Sequence, residues 1–295
     1  MQLIQSESID KQAWDEFVLN SRGTVFALSA YLDATADQWA ILYNSDCSGG
    51  MVCPFAKKLG VRVLYAPFFH RYSEWIGENA PSLEELENEL KRHFPVADAN
   101  MKWEIELSDQ SKVHQELTQS DFKPNQQVKR MLKKAVVYSV ETEFRKTELL
   151  DLLKHELSPR IAGIDDHSLQ LLDQLVSRFD TTYLVQLNLH QETEWKGALW
   201  LLKFNHRVLY LKGTVASDAK KNGGMYRLME QAINWAFEQE CVFDFGGSNA
   251  TGVRQFNTNW GGKDVPYLHL QWNNAPLWWK MLKSLRQTWK NKSSS

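Results

Sequence analysis

Cysteine is scarce and unpatterned in this 295-residue sequence. Cys47, Cys53 and Cys241 form no C-x-x-C pair, and no His or further Cys completes a coordination set around Cys47 and Cys53. An odd count without an export signal points to reduced thiols in a cytoplasm. A dominant charge is missing too: 34 basic against 36 acidic residues leave a net −2, so no global field draws the chain to nucleic acid or membrane. Any such partner needs a local patch. No apolar run approaches the ~20 residues of a membrane-spanning helix. The opening Met1-Gln2-Leu3-Ile4-Gln5-Ser6-Glu7 has no basic region leading into an apolar one, so no secretory signal is expected and the location read from the sequence is cytoplasmic. Histidine spacing supports no metal: His70, His155 and His167 stand apart, and Asp165-Asp166-His167 reads as a helix entry with Asp166 as cap. His269 remains a candidate general base. No low-complexity linker and no short repeat is present.

What is there is a globular composition, 43% hydrophobic and 24% charged, long enough for two domains. Twelve tryptophans imply large aromatic surfaces. Trp14, Phe17 and Val18 give helical spacing over 10–21. Strand-like runs follow at 39–43, 50–57 and 61–66, the last two joined by a Lys58-Leu59-Gly60 hairpin. Ser82 with Glu85 three residues on starts a helix ending near His93. A half-buried strand is expected at 102–107 and a short helix at 113–120. Pro124 is the best boundary, because the pattern then begins again. Helices are expected at 127–138, 146–157 and 168–179, strands at 183–190, 194–204 and 207–213, and a helix at 225–239. A strand at 242–245, a short helix at 253–257 and a strand at 267–272 complete the second unit. The fold class is therefore α/β (mixed α+β): two similar domains, 1–124 and 125–272, followed by a basic, Trp-containing helix at 273–295.

Residues 210–262 carry the chemistry. Lys220-Lys221-Asn222-Gly223-Gly224-Met225 sets a cationic, flexible loop before a helix, where free N–H groups and lysines suit a phosphate. An ordinary glycine-rich helix entry is the alternative. Phe243-Asp244-Phe245-Gly246-Gly247-Ser248-Asn249 runs a strand into a turn whose glycines allow close approach to the backbone. Asp244, a charge in an apolar strand, must be paired or functional. It either takes a proton through water or anchors the turn through its N–H groups, with Arg254 as its partner or as an anion holder. Tyr210 and Lys212 share a strand face by alternation. Tyr226 is a candidate for stacking near the loop, although single tyrosines of this kind more often fill cores or turns. On the helix after Pro124, Lys129, Arg130, Lys133 and Lys134 form a cationic face, read as solvated or as a surface for nucleic acid or a pyrophosphate-bearing substrate. No RNA-reading module is visible.

These stretches resemble the FemABX-like GNAT acyltransferases. The resemblance rests on Tyr210-Leu211-Lys212-Gly213-Thr214-Val215-Ala216, the Gly223-Gly224 helix, the Asp244-Phe245-Gly246-Gly247 turn, Gly252-Val253-Arg254-Gln255-Phe256 and Trp260-Gly261-Gly262. In the first half, Trp14-Asp15-Glu16-Phe17-Val18, Cys53-Pro54-Phe55 through Gly60, and Leu64-Tyr65-Ala66-Pro67-Phe68 agree with it. The resemblance implies two tandem GNAT-like domains, each a mixed, mostly antiparallel sheet flanked by helices. It implies transfer of an acyl or aminoacyl group from an acyl-CoA-like donor or aminoacyl-tRNA to an amine, with a cell-wall precursor as one acceptor class. Neither donor is a tightly bound cofactor. Asp244, Tyr210 and Lys212 are then the catalytic candidates, and Lys220, Gly223, Gly224, Arg254 and Lys263 the donor-binding ones. The family's Phe-Lys appears here as Phe256-Asn257, so its phosphate-contacting lysine is missing or replaced by Lys263. The long helical-hairpin insertion of tRNA-using members is absent, and the 220–225 loop copies the pyrophosphate loop poorly.

Two other readings stand beside the enzyme. One is a degenerate GNAT pair that binds a ligand or partner without turnover. The other is a peripheral membrane module: the tail from 271 to 295 has five basic residues and no acid, with Trp278, Leu282, Leu285 and Trp289 on one face. A helix simply packed on the body is the alternative for that tail.

Overall fold

The computed structural model describes residues 1–107, 112–157, 165–247, 250–279 and 281. Its first half contains β1 (Gln2–Gln5), α1 (Lys11–Asn20), α2 (Ser29–Thr35), β2 (Gln38–Tyr43), β3 (Gly49–Lys58), β4 (Val61–Tyr65), β5 (Trp75–Gly77), α3 (Leu83–His93), β6 (Val96–Met101) and β7 (Lys112–Leu117). The second contains α4 (Gln126–Lys134), β8 (Tyr138–Thr142), α5 (Lys146–Leu157), α6 (Asp166–Val176), β9 (Leu184–Gln191), β10 (Glu194–Phe204), β11 (Arg207–Val215), α7 (Ser217–Lys221), α8 (Gly224–Glu238), β12 (Val242–Gly247), α9 (Thr251–Thr258) and β13 (Lys263–Asn273).

Local chemistry accounts for several of these boundaries. Leu59 and Gly60 both have positive φ, the two-residue turn that matches strand twist, and β3 pairs with β4 across it. Ser82 and Glu85 close a reciprocal capping box at the start of α3. Three expectations differ from the fold. Residues 112–117 form a strand rather than a helix, and 102–107, expected as a strand, belong to no element. The first has a clear cause: β7 is held between β12 and β13, so Val113, His114 and Gln115 are all buried and the period-2 alternation of a strand is lost. The 102–107 run alternates but has no partner strand, and the ladder falls one element earlier, on β6. The helix expected over 127–138 stops at Lys134, and Tyr138 already belongs to β8.

All these strands join one sheet in the order β1-β2-β3-β4-β6-β13-β7-β12-β11-β10-β9-β8, with β5 beside β3. Only β4–β6 and β11–β12 run parallel, and each is bridged by a crossover helix, α3 or α8. Two units of one plan are thus laid edge to edge. They exchange strands: β7, from before Pro124, pairs with β12, while 268–273 of β13 complete the first unit against β6. One apolar core spans both, uniting Trp14, Val18, Tyr31 and Leu32 with Leu149, Leu153, Leu172, Leu175 and Trp200. The relation of the halves is therefore set by a shared interior rather than by a linker.

Among the described residues no helix is long and apolar enough to cross a membrane. Of the tail, Trp279 is buried against Val61, Val63 and Val96, and its indole N–H donates to the Lys58 carbonyl at 2.7 Å. Leu277, Trp278 and Met281 are exposed. Leu282, Leu285, Trp289 and the tail's basic residues lie outside the described residues.

Candidate active site

The parallel pair β11–β12 is hydrogen-bonded in register only from Arg207–Val242 to Leu209–Asp244. Beyond that point the strands part. The cause lies in both chains. A bulge in the β10–β11 ladder between Trp200 and Leu201 re-aims β11 around Leu211. On β12, Gly246 takes φ +81°, and a Cβ there would lie 3.0 Å from the Tyr210 carbonyl. Two cavities flank the parted strands, and residues 210–212 with Gly246 and Gly247 line both. On the α8–α9 side, about 480 Å³ is enclosed by Met225, Met229, Phe245, Val253 and Phe256 together with Lys212, Lys220 and Asn257. On the side of the first half, about 330 Å³ is enclosed by Phe26, Phe68, Phe69, His70 and Tyr267 with Arg71 and Lys212.

Directly beneath the divergence lies a buried ionic cluster. Asp244 is fully enclosed and receives a bidentate fork from Arg71, Nη1 to Oδ2 at 2.6 Å and Nη2 to Oδ1 at 2.8 Å. Arg207 donates to the same carboxylate at 3.1 Å and to Glu116 at 2.6 Å, and Glu116 is 2.7 Å from His114 Nε2. The Gly246 N–H donates to Asp244 at 2.9 Å, which fixes the turn. Burial alone would raise the Asp244 carboxyl, but the Arg71 guanidinium, backed by Arg207, holds it below the ordinary carboxylate range. Burial opposes ionisation of Glu116 as well, yet the His114 hydrogen bond and the Arg207 charge bring it down to about 2. His114, Glu116 and Asp244 offer ligand atoms within 4.8 Å of one another, as a metal site would. Two guanidinium groups already occupy those oxygens, so the cluster is an ion-pair network.

The site residues expected from the sequence separate into three groups. Tyr210, Lys212 and Lys220 line the larger cavity. The Tyr210 hydroxyl is spent on the Gly213 carbonyl at 3.1 Å, and Lys220 is paired with Glu156 at 2.7 Å. Lys212 has no ion pair among the described residues, and burial lowers its ammonium below the usual lysine value. Asp244 touches neither cavity wall and faces Arg71. Gly223, Gly224, Arg254 and Lys263 also stand outside the cavity lining. Arg254 pairs with Asp264 rather than with Asp244, and Lys263 is exposed near Asp121. Tyr226 packs edge-on to Phe256. His269 sits on β13 beside Lys112 and Asp98; it lines neither cavity but lies 3.1 Å from the Asn100 side chain, which lines the smaller one. Ser248 and Asn249 lie outside the described residues.

Gly223 has a structural explanation. It opens α8 at φ +84°, and a Cβ would come 2.5 Å from the Met131 carbonyl of α4. Gly223→Ala is therefore expected to cost about 1–3 kcal/mol through strain and displacement of α4, read as a lower urea midpoint. An unchanged midpoint would show that the helix start relaxes freely. The same close approach brings α4, with Lys129, Arg130, Lys133 and Lys134 exposed, to the N-terminus of α8.

His70, Arg71, His114, Glu116 and Arg207 were not assigned roles by sequence reasoning. One signal was available: Arg71 interrupts the aromatic run Phe68-Phe69-His70-Arg71-Tyr72, where a cation must find a partner. That partner lies 173 positions away.

Residues 125–256 match the family model described as "Acetyltransferase (GNAT) domain". No curated protein matches the chain. Among solved structures, FemX aligns over 92% of this chain and 98% of its own, at TM-score 0.61 and 11% identity. L-PGS from Bacillus licheniformis aligns over 94% and 96%, at 0.57 and 15%. A tandem GNAT protein from the clavulanic acid biosynthesis pathway aligns over 93% and 99%, at 0.51 and 9%. At such identities the likeness is one of fold, and it covers both halves. Residues 125–256 thus match the GNAT acetyltransferase domain, and the chain as a whole has the fold of the tandem GNAT proteins.

Proposed function

We propose that this protein transfers an acyl group from an activated donor, held between the parted ends of β11 and β12, to an amine presented from the first half. The observation that carries this reading is the pair of cavities sharing one wall at residues 210–212, Gly246 and Gly247. The facing edges of the two strands have no ladder bonds to each other beyond Leu209 and Asp244. Backbone N–H groups at such an edge suit the oxyanion formed when the amine nitrogen attacks the carbonyl carbon. The C–N bond forms, the C–S or C–O bond to the donor breaks, and the amine proton leaves with the departing group or water. No covalent nucleophile is needed, only positioning of two reactants on opposite sides of one strand pair.

Lys212, which has no ion pair among the described residues, lies at that shared wall, placed to stabilise the carbonyl oxygen or the leaving group. Asp244 acts as a positioning residue: with both oxygens held by guanidinium groups, it fixes the turn that keeps the strands apart. The cationic face of α4 beside α8 suits a donor with a polyanionic body. A CoA thioester is the first donor to test, with aminoacyl-tRNA as the other donor class implied by the resemblance and a cell-wall precursor amine as the implied acceptor. Product mass after incubation with acetyl-CoA and primary amines is the direct assay. Lys212→Met is expected to cut turnover at least about tenfold with unchanged thermal unfolding. Full activity in that variant would remove Lys212 from the mechanism, and no product with either donor class would favour a binding protein without turnover.

A further inference from the structure

The smaller cavity holds a side chain that the account so far leaves idle. His70 is 4% exposed and lines the cavity, and among the described residues neither of its ring nitrogens has a hydrogen-bond partner. The Phe26 and His70 carbonyls lie near the ring but outside hydrogen-bond geometry. A buried polar group left unmatched is destabilising, so such a group asks what satisfies it. His70 is instead surrounded by rings, edge-on to Phe26 at 5.6 Å and to Tyr31 at 6.4 Å between centroids.

The loop that presents His70 is itself strained. Phe69, just before it, has φ +70°, a conformation that a bulky residue adopts only under constraint. The constraint is visible: the Tyr31 hydroxyl donates to the Phe69 carbonyl at 2.7 Å, and the His70 N–H closes a turn onto Pro67 at 3.0 Å. Most other positive-φ residues of the chain also stand at turns, but this one is held in place next to a cavity, the setting in which such strain accompanies binding sites.

The charges around the cavity narrow the ligand further. Arg71 is neutralised by its fork to Asp244, so it offers no free cation to an anionic guest. Lys212 lines the same cavity, so a protonated amine would meet a like charge there. A buried imidazole is neutral and offers one acceptor and one donor nitrogen. Phe26, Phe68, Phe69 and Tyr267 supply aromatic wall, Leu209 and Leu211 aliphatic wall, and Asn100, a further polar side chain, is already bonded to the Arg71 carbonyl, Lys112 and His269.

We propose that this cavity is the acceptor subsite, that it takes a primary amine in its uncharged form on an apolar or aromatic frame, and that His70 is its hydrogen-bond partner. The amine N–H donates to the bare ring nitrogen, the rings enclose the frame, and the nitrogen lone pair is directed at the shared wall. That the guest is an acyl acceptor rests on the acyl-transfer reading; that His70 binds an amine there does not.

The test uses the full chain and 2-phenylethylamine, with binding followed by calorimetry and by the ring-nitrogen resonances of ¹⁵N-histidine. Wild type is expected to bind and to shift the His70 resonances. His70→Phe, which keeps the ring shape but not the nitrogens, should weaken binding at least about tenfold while raising the melting temperature, because an unmatched polar group is removed. His70→Gln, which restores a donor and an acceptor, should lie within a few-fold of wild type. A merely structural His70 predicts the reverse, lower stability and unaltered amine binding in His70→Phe, and that result overturns the proposal. So does failure of wild type to bind at about 10 mM amine. Intact amine binding with no acyl transfer would strike the acyl-transfer reading and leave the subsite standing.

Discussion

Arg71→Ala is expected to cost about 3–5 kcal/mol of folding stability, because it strips a fully buried carboxylate of its main counter-charge. Asp244 has no solvent to turn to, and what remains is Arg207 at 3.1 Å and the Gly246 N–H at 2.9 Å. The lost guanidinium also packs over Phe26 and Tyr72, at 5.3 and 5.6 Å from their centroids, so cation–π contact goes with it. Since Arg71 comes from the first half and Asp244 from the second, the loss should be felt in both. Urea unfolding read by two probes, one in each half, would register it as a lowered midpoint in each. Replacing both partners by apolar residues, Arg71→Met with Asp244→Leu, should lose less than either single change, since no buried charge is then left alone. A loss below about 1 kcal/mol in Arg71→Ala would mean that water reaches the cluster.

Acid should destabilise the protein in two stages. His70 is held down at about 4 by burial, against an ordinary 6.5. Between those values the unfolded chain takes a proton that the folded one refuses, so stability falls as pH drops from 6.5 to 4, by about 3 kcal/mol. His114, also lowered by burial, adds a loss of the same sign. Glu116 is held at about 2 against 4.5, so the folded state keeps its ion pair where the unfolded carboxylate is already protonated. Its contribution is present above pH 4.5 and is lost on the way to pH 2, another ~3 kcal/mol. Asp244, depressed by Arg71, acts in the same direction. Urea midpoints at pH 7, 5 and 3 should therefore decline at each step, and His70→Phe should shrink the first step and the part of the second above pH 4, leaving the Glu116 and Asp244 loss below it. A midpoint constant from pH 7 to 5 would contradict the neutral, buried state of His70.

How much of this was legible in the sequence depends on how far apart the interacting residues lie. The capping box of α3, the Leu59-Gly60 turn and the amphipathic α8 are written within a few positions, and the chain folds there as read. The tandem plan was legible through the order of the family's motifs. β7 was not, because Val113 and Leu117 have helical spacing and only the neighbouring strands β12 and β13 make the segment extended. Asp244 was correctly marked as a charge needing a partner, but nearby Arg254 was the candidate, whereas a hydrogen-bonding fork from a loop 173 residues away fills the role. Arg254 has Asp264 instead, ten residues on. Glycine likewise carries two meanings that a sequence does not separate: Gly246 opens the cleft, and Gly223 only admits α4. Lys212, read from strand alternation, faces the cleft, although a bulge at its neighbour Leu211 could have turned it away.

The proposed activity requires that the parted ends of β11 and β12 receive the acyl donor. Diffraction from crystals of the full chain grown with a non-hydrolysable acetyl-CoA analogue, or with a 3′-acylamino-adenosine analogue of the aminoacyl-tRNA end, tests it most directly. The acyl carbonyl is expected between residues 210–215 and 245–247, its oxygen within hydrogen-bond reach of a backbone N–H and Lys212 close by. An analogue bound elsewhere, or β11 and β12 zipped into a continuous ladder beyond Leu209 and Asp244, would contradict it.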